Sequence, residues 1–148
     1  MKSASVIGWA ALALLVVCWG QEARAELPPW AYPNPQDASE EVDIEVLSAS
    51  KWFRFFASSF NTFRYKVEVV GKVMTVHRTA TGLSPGSKIT IRYDAHTDNR
   101  PGWCGPGSFP ILAKGAVYKA HLTAVGDRNG VYTPCGAPYN AFQYKNEK

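Results

Sequence analysis

From Phe63 onward the chain alternates apolar and charged residues with a period of two, and then the apolar set changes sides. Phe63, Tyr65, Val67 and Val69 alternate with Arg64, Lys66 and Glu68, the pattern of a strand with one dry face and one wet face. Beyond Val70-Gly71 the apolar positions move to Met74 and Val76. Side chains of a strand point to opposite faces at every step, so a shift by one means an inserted residue or an exchange of faces. At a glycine the economical explanation is a β-bulge, which bends a strand sharply. The expectation is one long strand, bent near Gly71, that serves both halves of a curved sheet.

The segments that follow supply its partners. Gly82-Leu83-Ser84-Pro85-Gly86-Ser87 reads as a turn. Ile89, Ile91 and Tyr93 then alternate with Lys88, Thr90 and Arg92. A loop rich in glycine and proline spans residues 99–110, and residues 115–125 form another alternating strand. Asp127-Arg128-Asn129-Gly130 is a hairpin turn in which Asn-Gly supplies the positive φ values, and Val131-Tyr132-Thr133 begins the returning strand, ended by Pro134 and Cys135. Apolar residues on one parity require a closed or sandwiched sheet. A long bulged strand shared by two halves is how a small five-stranded barrel turns its corners. The fold class expected is therefore all-β, a small five-stranded OB-like barrel, over residues 40–148.

Residues 40–61 read less uniformly. Val42, Ile44 and Val46 alternate with Asp43 and Glu45, which suits a short strand. The following stretch places Trp52, Phe55, Phe56 and Phe60 at helical spacing, with Ser50 available as a cap and Lys51, Arg54 and Ser58 on the other side. It is expected to be a short helical or irregular aromatic segment packed on the barrel mouth. A surface helix that meets a membrane or a partner is the alternative.

The chain's first 25 residues are expected to lie outside the fold. Lys2 precedes an unbroken apolar run, residues 6–20, and Ala23-x-Ala25 offers the small side chains a signal peptidase accepts. The run has 15 residues, short of the ~20 that a membrane-crossing helix needs. A signal peptide over residues 1–25, cut after Ala25, implies an exported protein, periplasmic or secreted, with no membrane span after cleavage. Residues 26–39 carry Pro28, Pro29, Pro33 and Pro35, which exclude a helix or central strand and imply an extended leader lying across the domain through Trp30 and Tyr32. The mature chain holds 14 basic and 11 acidic residues with no basic block, which argues against a nucleic-acid ligand. Cys104 and Cys135 survive the cut. In an oxidising compartment, an even pair with no adjacent CxxC or histidine ligand set reads as one structural disulfide.

Two strings carry a resemblance. Val67-Glu68-Val69-Val70-Gly71-Lys72-Val73 with Gly82-Leu83-x-x-Gly86-x-x-Ile89-x-Ile91-x-Tyr93 resembles the start of the tissue-inhibitor/netrin-like OB-fold group. Pro101-Gly102-Trp103-Cys104-Gly105-Pro106, then Lys114-Gly115-x-x-Tyr118-x-Ala120-x-Leu122 and Val131-Tyr132-x-Pro134, is similar to small exported bacterial proteins of the same presumed fold. The likeness spans residues 63–142 and rests on glycines and strand positions, so it implies fold more than function. Protease inhibition is the activity it implies. In the metalloproteinase inhibitors of that group an N-terminal cysteine reaches the target's zinc, whereas the mature chain here is expected to begin at Glu26, so no functional residue is carried over.

Little else in the sequence bears chemistry. None of the serines sits in a GxSxG elbow, and no glycine-rich phosphate loop precedes a helix. Asp94, His96 and Asp98 stand at i, i+2 and i+4, so a strand reaching that far presents all three on one face, where they could hold a divalent metal. The alternative is a solvated polar edge. Trp103, Arg100, Asn99 and Phe109 belong to the long loop, where aromatic rings beside polar groups could stack on a sugar or anchor a protein. The function expected is a small exported, non-catalytic binding module with no resident cofactor. It would use loop 97–112, alone or together with segment 52–60, against another exported protein or a surface ligand. The alternatives are the metal site on Asp94, His96 and Asp98, and netrin-like protease inhibition.

Overall fold

A computed structural model of the chain describes residues 28–58, 60–99, 107–126 and 128–145. The described residues are mostly β, without an α-helix, and fold as one mixed sheet. Its strands are β1 (Glu40–Phe53), β2 (Thr62–Thr79), β3 (Lys88–Asp98), β4 (Val117–Ala124), β5 (Val131–Pro134) and β6 (Phe142–Lys145). The order is β1-β2-β3-β5-β4-β6, and an additional β1–β4 pairing closes the first five into a ring. All pairings are antiparallel except β3 with β5, which run parallel through Thr90↔Val131 and Ile91↔Tyr132.

The ring closes because β1 has a partner on each edge. Residues Glu40 to Glu45 pair with Leu122 to Val117 of β4, while the whole of β1 pairs with β2. The opposite edge of β4 is divided, Val117 to Ala120 pairing with β6 and Leu122 to Ala124 with β5. Inward-pointing residues fill the ring: Val42, Ile44 and Val46 from β1, Val67, Val69 and Val73 from β2, Ile89 and Ile91 from β3, Leu122 from β4 and Tyr132 from β5. Between the outer half of β3 and β6, the chain at residues 108–112 fills the gap. Leu112 is buried there, Phe109 packs edge-on against Tyr93 and Phe142, and the Tyr93 hydroxyl donates to the Pro110 carbonyl at 2.6 Å. Burial raises the Tyr93 phenol above its ordinary pKa, so it remains a donor.

The bend in β2 lies later than the sequence pattern suggests. Val67, Val69, Gly71 and Val73 all keep the inward parity, and the reversal comes at Met74-Thr75, both exposed. Register shifts leave Met74 and His77 of β2 without a β1 partner, while the irregularity facing Gly71 belongs to β1, at Leu47. Gly71 has a different cause. A Cβ there would sit 3.4 Å from both Cβ and Cδ1 of Ile44, so a glycine lets the two strands close tightly over the core.

The described residues between 50 and 61 contain no α-helix. β1 runs on through Lys51, Trp52 and Phe53 opposite β2, and only a single 3₁₀ turn, Phe55–Ala57, precedes the return. Helical spacing of the aromatics lost to continuous ladder pairing, because Phe63 and Tyr65 offer a partner strand in register. Trp52, Phe55, Phe56 and Phe60 are consequently exposed instead of packed on the ring.

The proline-rich segment docks, with Tyr32 half-buried and Trp30 turned to water. Two 3₁₀ turns, Pro29–Ala31 and Pro35–Asp37, carry the chain to Ala38, which is buried. Arg78 donates to the Pro35 carbonyl at 3.4 Å, the Cys135 thiol to the Asn34 carbonyl at 3.6 Å, and Ser39 Oγ to the Leu122 carbonyl at 3.3 Å. Glu40 is fully buried, and one carboxylate oxygen accepts from the Ala80 and Thr81 amides, holding the turn after β2. The expected signal peptide, residues 1–25, lies outside the described residues.

Candidate functional site

Alternation that buries Val67, Val69, Ile91 and Tyr93 turns Lys66, Glu68, Arg92 and Asp94 outward. Strand register then lines these residues up across three strands. Trp52, Lys66 and Asp94 form one row, and Ser50, Glu68 and Arg92 the next. Between the rows and Thr133 of β5 runs an open groove of about 540 Å³, with Trp52 at one end. The indole is roughly half exposed, at 53%.

Electrostatically the groove is balanced. Arg92 Nε donates to Glu68 Oε2 at 2.6 Å, and Arg54 Nη1 to Asp94 Oδ2 at 3.4 Å. Both pairs are substantially exposed, so each contributes little to stability, and their polar atoms are free to exchange partners with a ligand at small cost. Equal numbers of acids and bases give a polyanion no net attraction. The groove's lining includes two hydroxyl-bearing residues, Thr133 and Tyr93, the latter with its phenol donating to the Pro110 carbonyl. The groove presents an aromatic plate flanked by hydrogen-bonding ions.

The residues singled out from sequence fall in different places. Arg100, Trp103 and Cys104 lie outside the described residues. Asn99 is exposed and its amide donates to the Asn61 carbonyl at 3.0 Å, joining the loop to the β1–β2 hairpin. Phe109 is half-buried against Tyr93 and Phe142, a filler of the ring's open side. Strand β3 does extend to Asp98, so Asp94, His96 and Asp98 share a face. Asp94 faces Arg54, and Asp98 accepts from Thr62 Oγ1 at 2.8 Å. Among the described residues no group of three or more His, Cys, Asp and Glu side chains gathers to hold a metal ion. Cys135 is buried, and Cys104, its expected disulfide partner, lies outside the described residues. The groove itself was missed in the sequence because Trp52 read as the buried side of a helix; the outward parity of Lys66, Glu68, Arg92 and Asp94 was the available signal.

A second polar cluster covers the far side of β1. Asp43, 4% exposed, accepts from His77 Nε2 at 3.1 Å and from Lys145 Nζ at 2.5 Å. Burial opposes ionisation of Asp43, but the hydrogen bonds from Lys145 and His77 outweigh it and hold the carboxyl below its ordinary value. Glu41 beside it bonds Lys119 at 2.6 Å, which likewise lowers its pKa. His121 lies opposite Glu41 on β4, buried, with Nδ1 unpartnered; burial lowers its pKa and the Glu41 charge offsets this in part. These groups tie β1, β2, β4 and β6 together, and they act as a fastening.

No family model, no curated protein and no solved structure matches the chain.

Proposed function

We propose that the chain is a small exported, non-catalytic binding module, that its five-strand ring is an OB-type barrel, and that its ligand face is the groove over β2 and β3. One observation carries the reading: Trp52, Lys66, Glu68, Arg92 and Asp94 line a single open groove on the β2–β3 face. The wiring agrees with it. A ring in the order β1-β2-β3-β5-β4, closed by a parallel β3–β5 contact, is a five-stranded Greek-key arrangement, and barrels of that type present their ligands to strands 2 and 3 and the adjoining loops. The resemblance to netrin-like OB folds points the same way. A neutral, hydroxyl-rich extended chain suits this groove best. A sugar ring stacks on an exposed indole, and exposed ion pairs offer both donors and acceptors without selecting a charge. A glycan is therefore the ligand class proposed.

Titration of the isotope-labelled mature chain with soluble oligosaccharides, followed by amide chemical shifts, tests this. Shifts confined to residues 66–68, 92–94 and the Trp52 indole are expected, and both Trp52→Ala and Arg92→Ala should weaken binding about tenfold, in line with the loss of a stacking plate or a charged hydrogen bond. Absence of shifts across a panel of neutral and amino sugars would refute the glycan assignment, and shifts located elsewhere would refute the groove.

A further inference from the structure

The tip of the β1–β2 hairpin is a different surface from the groove, and its chemistry is more specific. Phe55, Phe56 and Phe60 stand at 75%, 102% and 98% exposure around the 3₁₀ turn, with Phe53 half exposed below them. A single exposed phenylalanine needs no explanation, but three on one hairpin tip form an apolar patch that water solvates poorly. Ring contacts order the base of this patch, since Phe53 packs on Phe55, Phe63 and Tyr65.

The charges around the tip have one sign along the hairpin. Between Glu45 and Glu68 the sequence contains no acidic residue, but it contains Lys51, Arg54, Arg64 and Lys66. Pairing places them in successive rows: Arg54 beside Arg64, then Phe53 with Tyr65, Trp52 with Lys66, and Lys51 with Val67. At about 3.3 Å per row all four cations fall within roughly 10 Å along the hairpin axis, immediately behind the phenylalanines. The nearest acids already have partners: Asp94 of β3 meets Arg54, Asp98 of β3 accepts from Thr62, and Glu68, farther down β2, pairs with Arg92. Apolar rings ahead of a cationic collar is the arrangement that seats aromatic side chains some 5–10 Å into the boundary of a bilayer and leaves the cations among the headgroups.

We infer that this hairpin tip docks the protein onto a lipid bilayer carrying anionic headgroups. The tip enters the interface and does not span it; no helix among the described residues is long and apolar enough to cross a membrane. A convex tip with almost fully exposed rings offers no concavity for a partner's side chain, and the cationic collar selects a negatively charged surface over a neutral one. The collar shares Lys66 with the glycan groove and touches it through the Arg54–Asp94 pair, but Phe55, Phe56, Phe60 and Arg64 lie outside its lining, so variants at these positions test the tip apart from the groove.

Co-sedimentation of the full mature chain with two kinds of vesicle tests the inference, one of phosphatidylcholine alone and one of phosphatidylcholine mixed equally with phosphatidylglycerol. The chain should pellet with the mixed vesicles, pellet little with the neutral ones, and be released by added salt. The double variant Phe56→Ser/Phe60→Ser should lower the partition coefficient at least about tenfold, from the loss of two buried rings. Arg64→Gln should lower it about fivefold, the share of one cation near a charged surface. These side chains are exposed, so far-UV spectra and urea midpoints should be unchanged and report that the variants are folded. Equal pelleting with both vesicle types, or none with either, would overturn the inference. So would a dimer dissolved by Phe56→Ser/Phe60→Ser in the absence of vesicles, which would assign the tip to a second copy of the chain.

Discussion

Asp43 is the residue through which the ring's stability should depend most visibly on pH. Its side chain is nearly inaccessible, and it is the shared acceptor of His77 from the bulged part of β2 and Lys145 from β6. Asp43→Asn keeps the shape and removes the charge. A hydrogen bond to a charged group contributes ~1.5–3 kcal/mol, and two are weakened here, but both donors are about two-fifths exposed and recover water when released. The net loss should be about 2 kcal/mol, below the 3–5 kcal/mol typical of breaking a fully buried pair. The sign with pH follows from the lowered pKa. A carboxyl depressed in the folded state contributes its full stability above its ordinary value of 3.8, and that contribution disappears as the pH falls through the depressed native value. Urea unfolding of both proteins should therefore give a constant gap between about pH 5 and 7 that narrows on acidification below about pH 4, with unchanged m-value. Because Lys145 anchors a four-residue strand, amide exchange in residues 142–145 should accelerate in the variant. A gap under about 0.5 kcal/mol, or one that persists unaltered into strong acid, would refute the reasoning.

Other outcomes follow from the same geometry. Gly71→Val should cost ~1–3 kcal/mol in urea unfolding, because the added methyl groups press on Ile44 where even a Cβ is in contact; an unchanged midpoint would mean that the strands are not closely apposed there. Burial lowers the His121 pKa, so the unfolded chain takes up the proton first: stability should fall as pH drops below the ordinary value of 6.5, and His121→Gln should remove that part of the slope. A pH profile identical in the two proteins would contradict it. Expression with export should yield a chain that begins at Glu26 and shows no titratable thiol in denaturant, since an oxidising compartment should join Cys104 to Cys135; two reactive thiols would refute the disulfide.

The alternation over residues 63–69 and 88–93 revealed two strands directly, because each has one face on the core and one turned to water, whereas β4 is covered on both faces, with Ala120, His121 and Leu122 buried in succession. Of the turn expected over residues 127–130, Gly130 takes the positive φ, 76°, that its Asn-Gly step announced, while Asp127 lies outside the described residues. Other features were not legible, for identifiable reasons. Segment 50–60 projects past the core, so no burial constrains its pattern and its aromatics fit a helix as well as a strand. Strand β6 has four residues and one buried side chain, Phe142, too few to show a period. The parity change was visible, but its place was not: Gly71 contributes no side chain to either face, which hides that the inward set continues to Val73. The groove depends on register between strands distant in sequence, which the sequence does not display.

The strand that holds the account together is β1, with partners on both edges over Glu40 to Glu45 and on one edge from Ser48 onward. Backbone amides of a strand point alternately to its two edges. Native-state hydrogen exchange resolved residue by residue should therefore find consecutive amides of residues 41–45 protected together, while protection alternates along residues 48–53. Alternating protection within residues 41–45 would mean that one edge of β1 is open to water, and the ring, with the groove built on it, would not exist.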